Sequence, residues 1–159
     1  MDLQLTGKTA LITGGSRGLG RGAAKALAAE GCNLHLAART ESDLELARTE
    51  LVADHGVEVA IHATDLSKGD AARELAKRTD GIDILVNCAG AIKAGTIEMI
   101  DEETWLEGWN LKVFGFINLI RVVYPAMFAC PNLVTDDRSS GRQIGAAHIP
   151  SPWSHVASG

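Results

Sequence analysis

At 159 residues, with a hydrophobic fraction of 46% and only 4% aromatic residues, the chain has room for one compact domain with a core rich in alanine and valine. Its net charge of -5 comes without a dense basic run, so the electrostatic footprint of a nucleic-acid binder is missing. Three cysteines (Cys32, Cys88, Cys130) without close pairing, no apolar run long enough to cross a bilayer, and a start lacking a charged-then-apolar leader together predict a soluble protein of the reducing cytoplasm.

Thr9-Ala10-Leu11-Ile12 predicts a first strand, and it stops at TGGSRGLG, residues Thr13 to Gly20. Leu19, Ala23, Ala26, Leu27 and Glu30 then fall at helical spacing, with Gly31 as a left-handed C-terminal stop. A short strand from Asn33 to Ala37 precedes Ser42-Asp43-Leu44-Glu45, which reads as a capping box opening a helix through Leu44, Ala47 and Leu51 to Gly56. Val57 to Ala63 predicts a third strand, Ser67-Lys68-Gly69-Asp70 a weaker helix start, and Ile82 to Val86 a fourth strand after the Asp80-Gly81 turn. A long helix should begin near Asp101 and run through Trp105, Trp109, Phe114, Ile117 and Val123 towards Pro125. Its apolar residues spread over more than one stripe, so it expects cover from the sheet on one side and from a partner subunit on another. From about Phe128 neither a helical nor an alternating period persists. Residues 129–159 therefore read as an irregular, disordered tail after a domain spanning 1–128.

Strands alternating with helices imply an α/β fold with a doubly wound parallel sheet of the Rossmann type, stopping after about four strands. Within it, a strand, a glycine turn and a helix N-terminus in that order form a site for phosphate, because the unpaired N–H groups of the first turn and the helix dipole both favour an anion. Gly14 would permit the turn, Gly18 the backbone approach and Gly20 the close packing of helix on strand. Asp65 and the run Asn87-Cys88-Ala89-Gly90 stand at carboxyl ends of strands, where open α/β sheets bind ligands. For Asp65 alone, a cap on the following helix is an equally good reading.

Taken together, TGxxxGxG at Thr13 to Gly20, Asp65, the NxAG at Asn87 to Gly90, and Asn110 in WNLKVFG resemble the short-chain dehydrogenase/reductase family over residues 5 to about 128. The resemblance implies a nicotinamide cofactor lying across the strand ends, held by Gly14, Ser16, Arg17, Gly18, Leu19 and Gly20 in the turn. Asp65 and Leu66 would hold the adenine, with Asn87, Ala89 and Gly90 along the fourth strand. It also implies hydride transfer to or from a small carbonyl or alcohol substrate, a strand order of 3-2-1-4-5-6-7 and a homo-oligomer. Ala38 stands where NAD-dependent relatives carry an acid. Arg39 follows it and Arg17 lies near enough to join it on a 2′-phosphate, so NADP is expected over NAD. Two solvated surface arginines are the alternative.

The family's tyrosine with a lysine four residues on has no counterpart here. The one tyrosine is Tyr124, the last lysine is Lys112, and of the catalytic set only Asn110 remains. None of Ser139, Ser140, Ser151, Ser154 and Ser158 closes a convincing strand. The five histidines show no metal-ligand spacing, so no metal site is expected. Three readings stay open at this point: an NADP-dependent oxidoreductase seen in an incomplete chain, inactive by itself; a dinucleotide-binding module without chemistry; and a non-functional truncated product.

Overall fold

The computed structural model describes residues 3–90 and 95–128. Among the described residues four strands, β1 (Thr9–Thr13), β2 (Asn33–Ala38), β3 (Val59–Ala63) and β4 (Ile84–Asn87), are all parallel and lie in the order β3-β2-β1-β4. Parallel neighbours cannot be joined by a hairpin, so the chain returns each time through a helix. These helices are α1 (Gly18–Ala29), α2 (Glu41–His55), α3 (Ala71–Arg78), α4 (Glu102–Trp109) and α5 (Phe116–Phe128), the last two joined by a π-helical turn at Asn110–Gly115. This is the doubly wound α/β sheet that the alternating pattern predicts. No helix among the described residues is long and apolar enough to cross a membrane.

Strand alternation divides the core into two layers. Ala10, Ile12, Leu34 and Leu36 pack with Ala24 and Ala28 of α1 and with Leu44, Ala47 and Leu51 of α2. Leu11 and Ala37 turn to the other face, where they join Ala72 and Leu75 of α3, Leu111, and Leu119 and Val123 of α5. Leu34, Leu36, Leu44 and Leu51 are at most 1% exposed, and each such side chain contributes about 1.5–3 kcal/mol over its exposed state. The direction in which strands are added to the sheet reverses between β1 and β4. After β3 it crosses back to the far side of β1, leaving a crevice outside the carboxyl ends of those two central strands.

Several local expectations shift by a residue or more. On α1 the buried stripe is Gly20, Ala24 and Ala28, whereas Leu19 is 88% exposed, because only small residues fit where the helix closes on the sheet. The capping box at Ser42 does not form. The helix already starts at Glu41 after the extended Thr40, the Asp43 carboxylate faces Arg17, and Glu45 pairs with Arg48. Its end is as expected, with Gly56 at φ 68°. The third strand begins at Val59 rather than Val57. The fourth begins at Ile84, since Ile82 is buried against the α3 side and the Asp83 carboxylate accepts from Thr9 N and Lys8 Nζ. Pro125 lies inside the last helix, which runs on to Phe128. Asp101 caps α4 as placed, accepting from Thr104 N at 2.8 Å.

The π turn explains why the long helix shows no clean 3.6-residue stripe. Its inward residues are Leu111, Gly115, Leu119 and Val123, spaced by four each time. At about 100° per residue, twelve residues of plain α-helix would rotate Val123 roughly 120° away from Leu111. A wide turn that absorbs one extra residue brings that drift down to about 20°, which aligns both with the sheet.

Candidate functional site

The crevice at the strand ends opens into a cavity of about 750 Å³. Its floor is the loop after β1, where Gly14 has φ 69° and an added Cβ would lie 2.9 Å from the backbone of Cys88 and Ala89. A Cβ on Gly20 would run into the Gly14 carbonyl. Side chains are therefore excluded at both positions by the approach of β1, β4 and α1 to one another. The N-terminus of α1 faces the same space, with Gly18, Leu19 and Gly20 in the lining. Arg17 at the helix N-cap makes no side-chain capping bond, and the first turn holds no acidic residue. First-turn N–H groups with no carboxylate of their own attract an anion.

Thr13 ties the two central strand ends together. Its side chain is fully buried and its hydroxyl accepts from Cys88 N and Ala89 N, both at 3.1 Å. The same hydroxyl is within donating distance of Asn87 Oδ1 at 3.3 Å and Val86 O at 3.5 Å. Cys88 N also reaches the Thr13 carbonyl at 3.2 Å. One small side chain thus fixes the start of the Asn87-Cys88-Ala89-Gly90 run against the glycine turn.

Of the residues singled out from sequence, the cavity lining brings together Gly14, Ser16, Arg17, Gly18, Leu19, Gly20, Arg39, Leu66, Asn87, Ala89 and Gly90. Asp65 stands just outside that lining, and its carboxylate accepts from Ser67 N at 3.2 Å and Ser67 Oγ at 2.8 Å. Burial pushes the Asp65 carboxyl up, but the two Ser67 bonds and the charges of Arg39 and Lys68 outweigh it and hold the group below its ordinary value. Asn110 is exposed at the first position of the π turn and is likewise not in the lining. Tyr124, 46% exposed, lies on α5 away from the cavity. Cys130, His148, His155 and the late serines lie outside the described residues.

Sequence reasoning passed over Thr40, Asp43, Thr64, Leu111, Lys112 and Phe116, all of which line the cavity. Leu111, Lys112 and Phe116 come from the π turn and the first residue of α5, so the WNLKVFG segment was the available signal. The stem of Lys112 passes over Gly90, where an added Cβ would meet it at 3.6 Å. Among the described residues the wall carries three cationic side chains (Arg17, Arg39, Lys112) against one carboxylate, Asp43, a balance that suits a polyanion. Arg17 and Asp43 form an ion pair, with Nε at 3.1 Å and Nη2 at 2.5 Å from the same Asp43 Oδ2. Glycine cradle, anion-attracting helix end and apolar walls from Ala37, Leu66 and Phe116 fit an elongated phosphate-bearing ligand at the switch point of the sheet.

Comparison with known proteins agrees with this architecture. A short chain dehydrogenase of Pseudocercospora fijiensis is 33% identical over 156 residues, covering 94% of this chain and 48% of the relative. The D-beta-hydroxybutyrate dehydrogenase of Cupriavidus necator is 34% identical over 149 residues, covering 91% of this chain and 55% of the relative. Among solved structures, L-sorbose reductase from Gluconobacter frateurii, complexed with NADPH and L-sorbose, superposes with a TM-score of 0.73 at 35% identity, over 80% of this chain and 50% of that one. The chain thus spans about half the length of the relatives it matches. The family profile described as short chain dehydrogenase matches residues 8–144, past the boundary drawn at residue 128 from the sequence pattern. With the profile covering most of the chain and the sheet, crevice and glycine cradle in place, the chain belongs to the short chain dehydrogenase family.

Proposed function

We propose that this chain is the dinucleotide-binding part of an NADP(H)-dependent oxidoreductase that passes hydride between the cofactor and a small carbonyl or alcohol substrate. The observation that carries the reading is the cavity at the β1/β4 switch point, lined by the glycine cradle with Arg17 in it and by Arg39 at the end of β2. In this reading Gly14, Ser16, Gly18, Leu19 and Gly20 hold the pyrophosphate, with Leu66 and Asp65 beside the adenine. Asn87, Ala89 and Gly90 lie along the nicotinamide side. Arg17 and Arg39 receive the 2′-phosphate, and Ala38 adds no acid at the end of β2. The nicotinamide supplies the hydride chemistry when bound; these residues bind and orient it. Support for NADP(H) also comes from the L-sorbose reductase relative, whose structure contains NADPH.

The 159 residues hold no tyrosine followed four residues later by lysine. Turnover by this chain alone is therefore expected to be negligible, with Asn110 as its one residue from the family's catalytic set. The test is a titration of NADPH and NADH against the parent chain and Arg39→Ala. A preference for NADPH that falls on substitution, by up to the roughly 1.5–3 kcal/mol of a charge-assisted bond, supports the reading. Equal affinities before and after substitution overturn it.

A further inference from the structure

Arg17 does not face the cavity alone. Its side chain is 77% exposed, yet two guanidinium nitrogens converge on one carboxylate oxygen of Asp43, whose own side chain is 22% exposed and lines the same cavity. Asp43 lies in the first turn of α2, where the helix dipole favours a negative charge. The N-cap Thr40 makes no side-chain capping bond, and the carboxylate of Asp43 goes to Arg17 instead. A phosphate arriving at Arg17 thus meets a cation that is already partnered.

From this geometry we propose that Asp43 is a specificity-determining residue: a built-in counter-anion that holds Arg17 against α2 and weakens selection of a 2′-phosphorylated dinucleotide. The proposal rests on the reading that Arg17 receives the 2′-phosphate. An incoming phosphate must exchange with the Asp43 carboxylate, so part of the Arg17–phosphate interaction is offset by the bond that is lost. The 2′-hydroxyl of an unphosphorylated dinucleotide does not demand that exchange. Asp43 therefore lowers the ratio between the two affinities without touching the glycine cradle that both ligands share.

The effect is modest because the Arg17 side of the pair is mostly open to water. An exposed ion pair amounts to about 0.2–1 kcal/mol, which converts to at most roughly a fivefold change in affinity. NADPH and NADH are titrated by calorimetry against the parent chain, Asp43→Asn, Asp43→Ser, Arg17→Ala and the Arg17→Ala/Asp43→Asn double variant, with circular dichroism melts as a check that each folds. Both Asp43 variants should bind NADPH roughly twofold to fivefold more tightly, with NADH unchanged, and the gain should vanish in the Arg17→Ala background. If Asp43→Asn and Asp43→Ser leave NADPH affinity unchanged or weaker while Arg17→Ala lowers it, the counter-anion role is wrong and the cofactor reading stands. A gain that persists without Arg17 also overturns the proposal, since it would be direct repulsion by the carboxylate. Equal binding of NADPH and NADH by the parent chain, insensitive to Arg17→Ala, removes the cofactor reading and the proposal with it.

Discussion

Replacing Thr13 by valine keeps the shape of a fully buried side chain and removes only its hydroxyl. The two amides that it serves are not equally affected. Cys88 N keeps the Thr13 carbonyl at 3.2 Å, whereas Ala89 N, at 3.1 Å from the hydroxyl, loses its acceptor. One amide left without an acceptor costs about 1–3 kcal/mol. The added methyl group returns up to about 0.8 kcal/mol of apolar burial, so the net loss should centre on about 1–2 kcal/mol within a range of roughly 0.2–3 kcal/mol. For a domain of this size that lowers the melting temperature by roughly 3–10 °C. Thr13→Ser, which restores the hydroxyl, should recover most of it. Thermal and urea melts of the three proteins supply the measurement, and NADPH titration adds a second readout, because Ala89 and Gly90 line the cavity and should bind less well once the end of β4 is released. A Thr13→Val protein as stable as the parent, with Thr13→Ser the weaker of the two, would refute the view that this hydroxyl joins β1 to β4.

Gly20→Ala should reduce dinucleotide binding far more than Gly22→Ala, because a Cβ at position 20 meets the Gly14 carbonyl while one at 22 meets nothing; parallel titrations of the two variants decide it. His35 Nδ1 and His62 Nε2 are 2.9 Å apart between β2 and β3, a contact that needs one shared proton. Burial lowers both pKa values from 6.5, aided at His62 by the charges of His35 and Arg78, so the folded state resists protonation more than the unfolded chain does. Stability should hold above pH 6.5 and fall as pH drops below it, and His62→Gln should flatten that slope in urea melts taken from pH 7.5 to 5. Trp109, Phe114 and Ile117 are 53%, 53% and 45% exposed, so the 159-residue chain should associate with itself; Phe114→Lys should shift its elution in size-exclusion chromatography towards the monomer.

What could be read from sequence was what local chemistry dictates. Gly14 and Gly20 are legible because a turn with positive φ and a close helix–strand approach each demand glycine within eight residues of chain. The four strands are legible from apolar runs, and Gly31 and Gly56 mark helix ends by the same backbone logic. Pairings that depend on how distant segments come together were not legible. Arg17 and Asp43 are 26 residues apart, as His35 and His62 are 27 apart, and nothing in either segment announces its partner. The Ser42 box had the right residue types, but an extended Thr40 started the helix before it. At Leu19 the spacing was helical, yet the cavity rather than the sheet lies on that side. Thr13 was visible as part of the glycine motif, but its place as the junction of two strands follows only from the β1/β4 pairing.

The wide turn at Asn110–Gly115 separates two properties that a uniform helix would bind together. Removing a residue from within α4 or α5 rotates everything beyond it by about 100° and turns Leu119 and Val123 off the sheet. Removing one from the π turn leaves an ordinary α-helix whose two halves keep their facing, because the extra residue was already absorbed there. Leu111, Lys112 and Phe116 reach the cavity from this same stretch and its first neighbour, so shortening it would recontour the wall while the sandwich beneath stayed assembled. Chain length at this point is thus a means of changing what the cavity admits without a new fold.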